Sequence, residues 1–238
     1  MPALPAPIEL HYWPTPNGWK ISIALEEMGL PYELRLVNIG AGEQFTPDFL
    51  KISPNNRMPA IVDPKGPDGK PISVFESGAI LQYLARKTGQ FGGPSERDRV
   101  AVDQWLMWQM GGLGPMAGQA HHFLKYAPSM EPPNDLPYAK DRYRRETGRL
   151  LGVLDKQLQS NEYVAGDFYS IADMAIWSWA SLWEGQEQTL DDKPALARWL
   201  DLVGARPAVI KGRAVADDKR SNLQKDRDAQ KILFGERK

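Results

Sequence analysis

No cysteine occurs anywhere in the 238 residues of the chain. That absence excludes a disulfide framework, a zinc–cysteine site, an iron–sulfur cluster and a protein CxxC redox centre. Any thiol chemistry must draw its thiol from a small molecule. The cytoplasm is compatible with this and is the expected location. Long apolar runs are missing too: none approaches the roughly 20 residues of a membrane helix, so no membrane partner is expected. Neither charge sign is in excess, with Lys+Arg 29 against Asp+Glu 30, which gives no bulk attraction to nucleic acid. The start, Met-Pro-Ala-Leu-Pro-Ala-Pro, lacks the basic end and apolar stretch of a secretory signal. Its prolines predict a loose arm over residues 1–7. Metal motifs are also absent. His121 and His122 are adjacent, so on a helix they face different directions, and no HExxH or carboxylate–histidine cluster completes them. No metal is expected.

What is present fits two domains, each large enough to bury a core. Ile8–Tyr12 reads as a strand. In Trp13–Gly18, Pro14 and Pro16 block both helix and ladder. From Trp19 the pattern is helical, with Ile21, Ala24, Leu25 and Met28 on one face and Gly29 as a stop. Tyr32–Ile39 reads as a second strand and Phe45–Ile52 as at most a short helix. Ala60–Val62 and Ile72–Phe75 flank a turn-rich segment and read as a hairpin, and Ser77 opens another helix. Gly89–Pro94 is a natural linker. After it almost everything is helical: Ser95–Met110, Asp141–Leu158, Ser170–Trp183 and Pro194–Val203. Gly111-Gly-Leu-Gly-Pro115 must break or kink the first of these; lacking a Gly-Lys-Ser/Thr ending, it is not a phosphate loop. Ser170-Ile-Ala-Asp173 has the form of a capping box. Trp105, Trp108, Trp177, Trp179 and Trp183 read as core or pocket wall. The segmentation is then an arm over 1–7, an α/β domain over 8–89, an all-helical domain over 95–211 and a charged tail over 212–238. Charge density favours a solvated tail, while Leu223, Ile232, Leu233 and Phe234 leave open that it folds back.

A β-α-β-(α)-β-β-α half followed by an all-helical half resembles the glutathione transferases. Three strings sharpen the resemblance: Asn55-Asn-Arg-Met-Pro-Ala-Ile61, Glu76-Ser-Gly-Ala-Ile-Leu81 and Ser170-Ile-Ala-Asp173. They are similar, in order, to the family's segment before its third strand, its γ-glutamyl motif and its helix-six capping box. Thr15-Pro-Asn-Gly18, with Gly111–Pro115 and His121-His-Phe123, points to the Nu class. The resemblance runs from about Ile8 to Pro207. It implies a thioredoxin-like N-terminal domain plus an all-α C-terminal domain, glutathione as co-substrate, and a homodimer.

The resemblance also implies roles for individual residues. A cis Met58–Pro59 bond would expose the backbone of Met58 to pair with the cysteinyl part of glutathione like an added strand; the plain alternative is a trans loop proline. Ser77, at a helix start where free amides favour a carboxylate, would hold the γ-glutamyl carboxylate, with Glu76 as counter-charge for its ammonium. On the residues alone, the stronger reading of Ser77 is a cap of its own helix. Thr15 and Asn17 would donate to the sulfur and lower its pKa, leaving Tyr12 as a strand-end core residue. Gln44 would contact the glutathione backbone. Arg142, and more weakly Arg57, would reach a carboxylate. The implied activity is reduction of small-molecule disulfides by glutathione thiolate. The alternatives are conjugation of an electrophile or thioether and β-aryl ether cleavage, and, from another class, a non-catalytic glutathione-binding regulator.

Overall fold

The structure, a computed structural model, describes residues 7–220 and 222–235. The arm expected over 1–7 lies, save for Pro7, outside the described residues. In chain order the elements are β1 (Ile8–Tyr12), α1 (Pro16–Glu27), β2 (Tyr32–Leu36), α2 (Pro47–Ile52), β3 (Ala60–Asp63), β4 (Ile72–Phe75), α3 (Ser77–Thr88), α4 (Glu96–Trp108), α5 (Gly114–His121), α6 (Pro137–Leu158), α7 (Ile171–Ala180), α8 (Pro194–Gly204), α9 (Pro207–Ala214) and α10 (Arg227–Phe234). They form two compact units. One holds the chain up to Thr88 with Pro207–Asn222 and the segment from Asp228; the other holds Gly89–Arg206 and Leu223–Arg227. The units thus cut the chain at Pro207, ahead of the tail that the sequence begins at 212.

In the first unit the sheet order is β2-β1-β3-β4, with β1 parallel to β2 and both other pairs antiparallel. Leu10 lies opposite Leu34 on one side and Ile61 on the other. The second strand ends at Leu36, three residues short of the expected Ile39. The reason is Asn38, whose side-chain oxygen accepts from the amides of Gly40 and Ala41 and turns the chain into a 3₁₀ turn.

Helix α1 was expected to bury one face. Instead every residue from Gly18 to Leu25 is buried, because α1 packs against both α3 and α9. The α9 contact is close. A Cβ on Gly212 would stand 2.6 Å from the Ile23 Cα, and the buried Ser22 hydroxyl donates to the Gly212 carbonyl at 2.7 Å. The tail also folds back rather than staying solvated. Ala229 and Gln230 are buried, and the loop after β2 receives α10 at two glycines: a Cβ on Gly40 would meet that of Ala229 at 3.2 Å, and one on Gly42 would meet Ile232 at 3.7 Å. The charges that suggested solvation occupy the outer face of α10, leaving a narrow apolar stripe to dock.

The second unit is helical. Ser95 and Asp98 form a capping box that starts α4. The glycine run does not end the helical path: Gln109–Leu113 makes one π-helical turn and passes into α5. Pro115 sits in the first turn of α5, where a missing N–H is tolerated. The five tryptophans read as core or pocket wall are half-buried, and those fully enclosed are Trp19 and Trp199. Among the described residues no helix is long and apolar enough to cross a membrane.

The Ser170–Asp173 box organises this unit. The Asp173 carboxylate, entirely buried, accepts from the amides of Val164 and Ser170, the Ser170 hydroxyl and the Trp199 indole N–H. Burial pushes its pKa up to about 6, and its hydrogen bonds pull the other way. Asp173→Ala would strand these donors in the core. It is expected to cost about 3 kcal/mol or more in a urea titration; a loss under about 1 kcal/mol, the value of one ordinary hydrogen bond, would contradict this role. Gly212→Ala must separate α9 from α1 and is expected to cost about 1–3 kcal/mol by the same measurement.

Candidate active site

Of the residues singled out in the first unit, Thr15, Asn17, Met58, Glu76 and Ser77 lie at two helix starts and one connecting segment. Thr15 caps α1: its extended backbone leads into Pro16, and its hydroxyl oxygen accepts from the Gly18 amide at 3.4 Å. Gly18 has to lack a side chain, because a Cβ there would stand 2.4 Å from the Trp13 carbonyl and 2.8 Å from the Tyr12 ring. Asn17 lies half-buried in the first turn. The Thr15 hydroxyl also reaches the Met58 sulfur at 3.8 Å. Tyr12 is wholly buried, as expected of a strand-end residue; its hydroxyl donates to the Val215 carbonyl at 3.1 Å, and burial pushes its pKa up to about 12.

The Met58–Pro59 bond is cis. Met58 packs against Val37, Phe49 and Ala60, and it stands two residues ahead of the first ladder pair of β3. Asn55, at the other end of the segment, donates to the exposed Glu76 carboxylate at 3.4 Å. Residues 55–58 therefore touch the start of α1 through Met58 and the start of α3 through Asn55.

Glu76 holds a left-handed backbone with φ +69°. For a residue with a Cβ such a conformation costs about 1–3 kcal/mol. The turn brings its carbonyl to accept from the Ile80 amide, so Glu76 occupies the capping position and Ser77 is the first residue of α3. Ser77 is nearly buried, at 7% exposure. Behind it lies a residue that sequence reasoning missed. Lys20 of α1 is 2% exposed, and its Nζ stands 3.4 Å from the Ser77 hydroxyl. Burial lowers its pKa to about 7, with Glu76 pulling it back up. The available signal was a single lysine inside Trp19-Lys-Ile-Ser-Ile-Ala-Leu25, otherwise apolar or small.

Gln44 is 4% exposed, and its amide nitrogen donates to the Ile39 carbonyl at 3.2 Å. Its oxygen is buried with no partner among the described residues. Arg57 is exposed, and its carbonyl accepts from Ser53 at 2.7 Å. Arg142 lies in the second unit, exposed on α6. In that unit the His121 ring lies 6.2 Å from Trp179 and that of His122 5.0 Å from Phe123. Among the described residues no group of three or more His, Asp or Glu side chains could hold a metal.

Chemically, the edge of the first unit offers two helix starts, which favour anions, an exposed carboxylate suited to an ammonium, and a hydroxyl beside a thioether. Comparison with known proteins bears on the family of the chain. Residues 7–86 match the family model described as glutathione S-transferase, N-terminal domain, and residues 115–207 match that of the C-terminal domain. The chain is 51% identical over 202 residues to disulfide-bond oxidoreductase YfcG of Escherichia coli, covering 84% of this chain and 92% of that protein. It is 41% identical to disulfide-bond oxidoreductase YghU of the same organism, covering 88% and 75%. A glutathione transferase structure from Burkholderia graminis, with two glutathione molecules bound per subunit, superposes with a TM-score of 0.82 at 46% identity, covering 91% of each chain. One from Pseudomonas putida, with one glutathione disulfide bound per subunit, gives 0.83 at 42%, covering 90% and 94%.

The lysine makes stability depend on pH. Its folded pKa, about 7, lies below the ordinary 10.5, so the unfolded chain holds that proton more tightly. The cost of the buried charge is fully present below pH 7 and is relieved as pH rises toward 10.5. The slope is at most about 1.4 kcal/mol per pH unit. In urea titrations the unfolding free energy of the wild type, taken relative to Lys20→Met, is expected to grow between pH 7 and about 9. A difference that stays flat would contradict an amine titrating near neutrality.

Proposed function

The chain belongs to the glutathione S-transferase family, and from that premise we propose that it is an enzyme that reduces small-molecule disulfides with glutathione. The observation that carries this reading is the bridge made by residues 55–58, which touch Thr15 at 3.8 Å through Met58 and Glu76 at 3.4 Å through Asn55. A tripeptide laid along that segment has its γ-glutamyl end at Glu76 and Ser77 and its sulfur at the start of α1. The Met58 backbone pairs with its cysteinyl portion. The unpaired oxygen of Gln44 suits an amide donor of the same ligand. Arg142 is the proposed partner for a carboxylate.

The chemistry follows from the missing cysteine. Thr15, Asn17 and the positive end of α1 stabilise glutathione as thiolate. The thiolate attacks one sulfur of the disulfide, forming a mixed disulfide and expelling the other sulfur as thiolate. A second glutathione thiolate then attacks the glutathione sulfur of the mixed disulfide. It releases the remaining substrate thiolate and leaves glutathione disulfide. Two electrons pass from two glutathiones to the substrate, and no protein sulfur is oxidised. The two bound glutathiones in the Burkholderia graminis structure and the glutathione disulfide in that from Pseudomonas putida support this order of events. Its resemblance to the two Escherichia coli oxidoreductases favours a Nu-type enzyme. The same reading takes it to be a homodimer working in the cytoplasm.

Purified protein is expected to reduce a small model disulfide with glutathione quickly and to conjugate a chloronitrobenzene slowly. Thr15→Ala and Asn17→Ala are each expected to lower kcat/KM for the disulfide by about tenfold or more, the worth of a hydrogen bond to a charged atom. Binding of S-methylglutathione should change less. Bound glutathione with neither activity would contradict the enzyme reading and favour a regulatory binder; fast conjugation with slow reduction would favour an electrophile as substrate.

A further inference from the structure

Lys20 has no task in the chemistry described so far. Its amine is enclosed behind Ser77, with 3.4 Å between Nζ and the hydroxyl oxygen. Among the described residues, a charged group that reaches it is Glu76, next to Ser77 in the same turn. Other ionisable groups on the surrounding elements are engaged elsewhere. Tyr12 of β1 donates to Val215, and His11 lies 3.6 Å from Glu9. Arg213 of α9 lies over Trp19 and pairs with Asp217, while Lys211 pairs with Glu26 of α1. On α3, Tyr83 and Lys87 both bind Asp63.

Consider the charges when a γ-glutamyl group arrives. It brings one ammonium and one carboxylate. The ammonium at Glu76 cancels the negative charge that supports a protonated Lys20. The carboxylate at Ser77 replaces that charge, and it sits against the same hydroxyl that Lys20 contacts. With Lys20 protonated, the four charges of Lys20, Glu76, ammonium and carboxylate balance. With Lys20 neutral, one negative charge is left over at a partly desolvated edge, where an unpaired charge is costly. An opposite charge within about 4–6 Å favours the charged form of a titrating group.

We propose that Lys20 is a positioning residue for glutathione: from behind Ser77 it supplies the positive charge that holds the γ-glutamyl carboxylate at the start of α3, and it takes up a proton from solvent as that carboxylate arrives. The proposal rests on the glutathione reading above. No covalent bond of the ligand changes; the only new bond is N–H on Lys20. The burial that lowers the pKa of this amine to about 7 leaves it largely neutral in the free protein at mildly alkaline pH, ready to accept the proton.

The test is calorimetric titration of the protein with S-methylglutathione at about pH 8, about one unit above the free amine's pKa, in two buffers of different ionisation enthalpy. The methylated sulfur removes the thiol proton from the count. The wild type is expected to take up more than about half a proton per ligand and to bind more weakly as pH rises, approaching tenfold per unit. Lys20→Met should bind about tenfold more weakly or worse, with that uptake gone. Lys20→Arg, which stays charged, should lose both the uptake and the pH dependence even where Lys20→Met fails to fold. A lysine that only supports the fold would not produce a buffer-dependent heat. Absence of uptake in the wild type, or equal uptake in either variant, overturns the proposal and leaves glutathione binding standing. Absence of any binding of S-methylglutathione overturns the glutathione reading itself.

Discussion

Helix α1 is enclosed along two full turns, and the rest of the first unit is arranged around that enclosure. Because Gly18 to Leu25 are all buried, this stretch cannot present a polar face to water, so its hydroxyl and its amine find partners inside. The Ser22 hydroxyl finds the carbonyl of Gly212, and Lys20 finds Ser77. Both partners lie far away in sequence. Enclosure also dictates where side chains are missing. Gly18 lies against the end of β1, and Gly212 lets α9 approach the α1 backbone. The start of α1 is thereby held fixed relative to the start of α3. In the proposed site a bound tripeptide would need that fixity, because its two ends would be read by different helices.

Much of this frame was legible in the sequence, for identifiable reasons. Thr15, Ser77, Ser95 and Ser170 stand at helix starts because small hydroxyl residues satisfy or expose free amides there, and such positions announce themselves locally. The order of strands and helices in the first unit followed from alternation and from turn residues. Lys20 did not show itself. A lysine is normally solvated, and only the packing of α3 and α9 around α1 seals it in. The docking of α10 was hidden by its charges, since the two residues that bury, Ala229 and Gln230, carry little hydrophobic signal. The glycine run at 111–115 signals a break by propensity, but tertiary contacts carry the helix through it as a π turn. Arg142 was reached by resemblance alone; its exposed neighbours on α6, Arg144 and Arg145, both pair with Asp141.

The chemistry proposed uses the protein as a field rather than as a reactant. With no cysteine in the chain, every sulfur that changes oxidation state arrives with a ligand. The protein contributes two helix starts, a hydroxyl and an amide for the sulfur, and a carboxylate with a buried amine for the far end of the tripeptide. Glu76 stands in a strained left-handed turn that places its side chain on the outer edge and its carbonyl in the helix cap. Strain of this kind collects where a geometry is required for reasons other than stability.

The most direct measurement is a crystal structure of the chain grown with glutathione disulfide. The expected result is a tripeptide along residues 55–58, with its γ-glutamyl carboxylate on Ser77, its ammonium on Glu76 and its disulfide sulfur beside Thr15 and Asn17. Glutathione bound away from this edge, or lying there with its sulfur turned away from the start of α1, would contradict the proposed site.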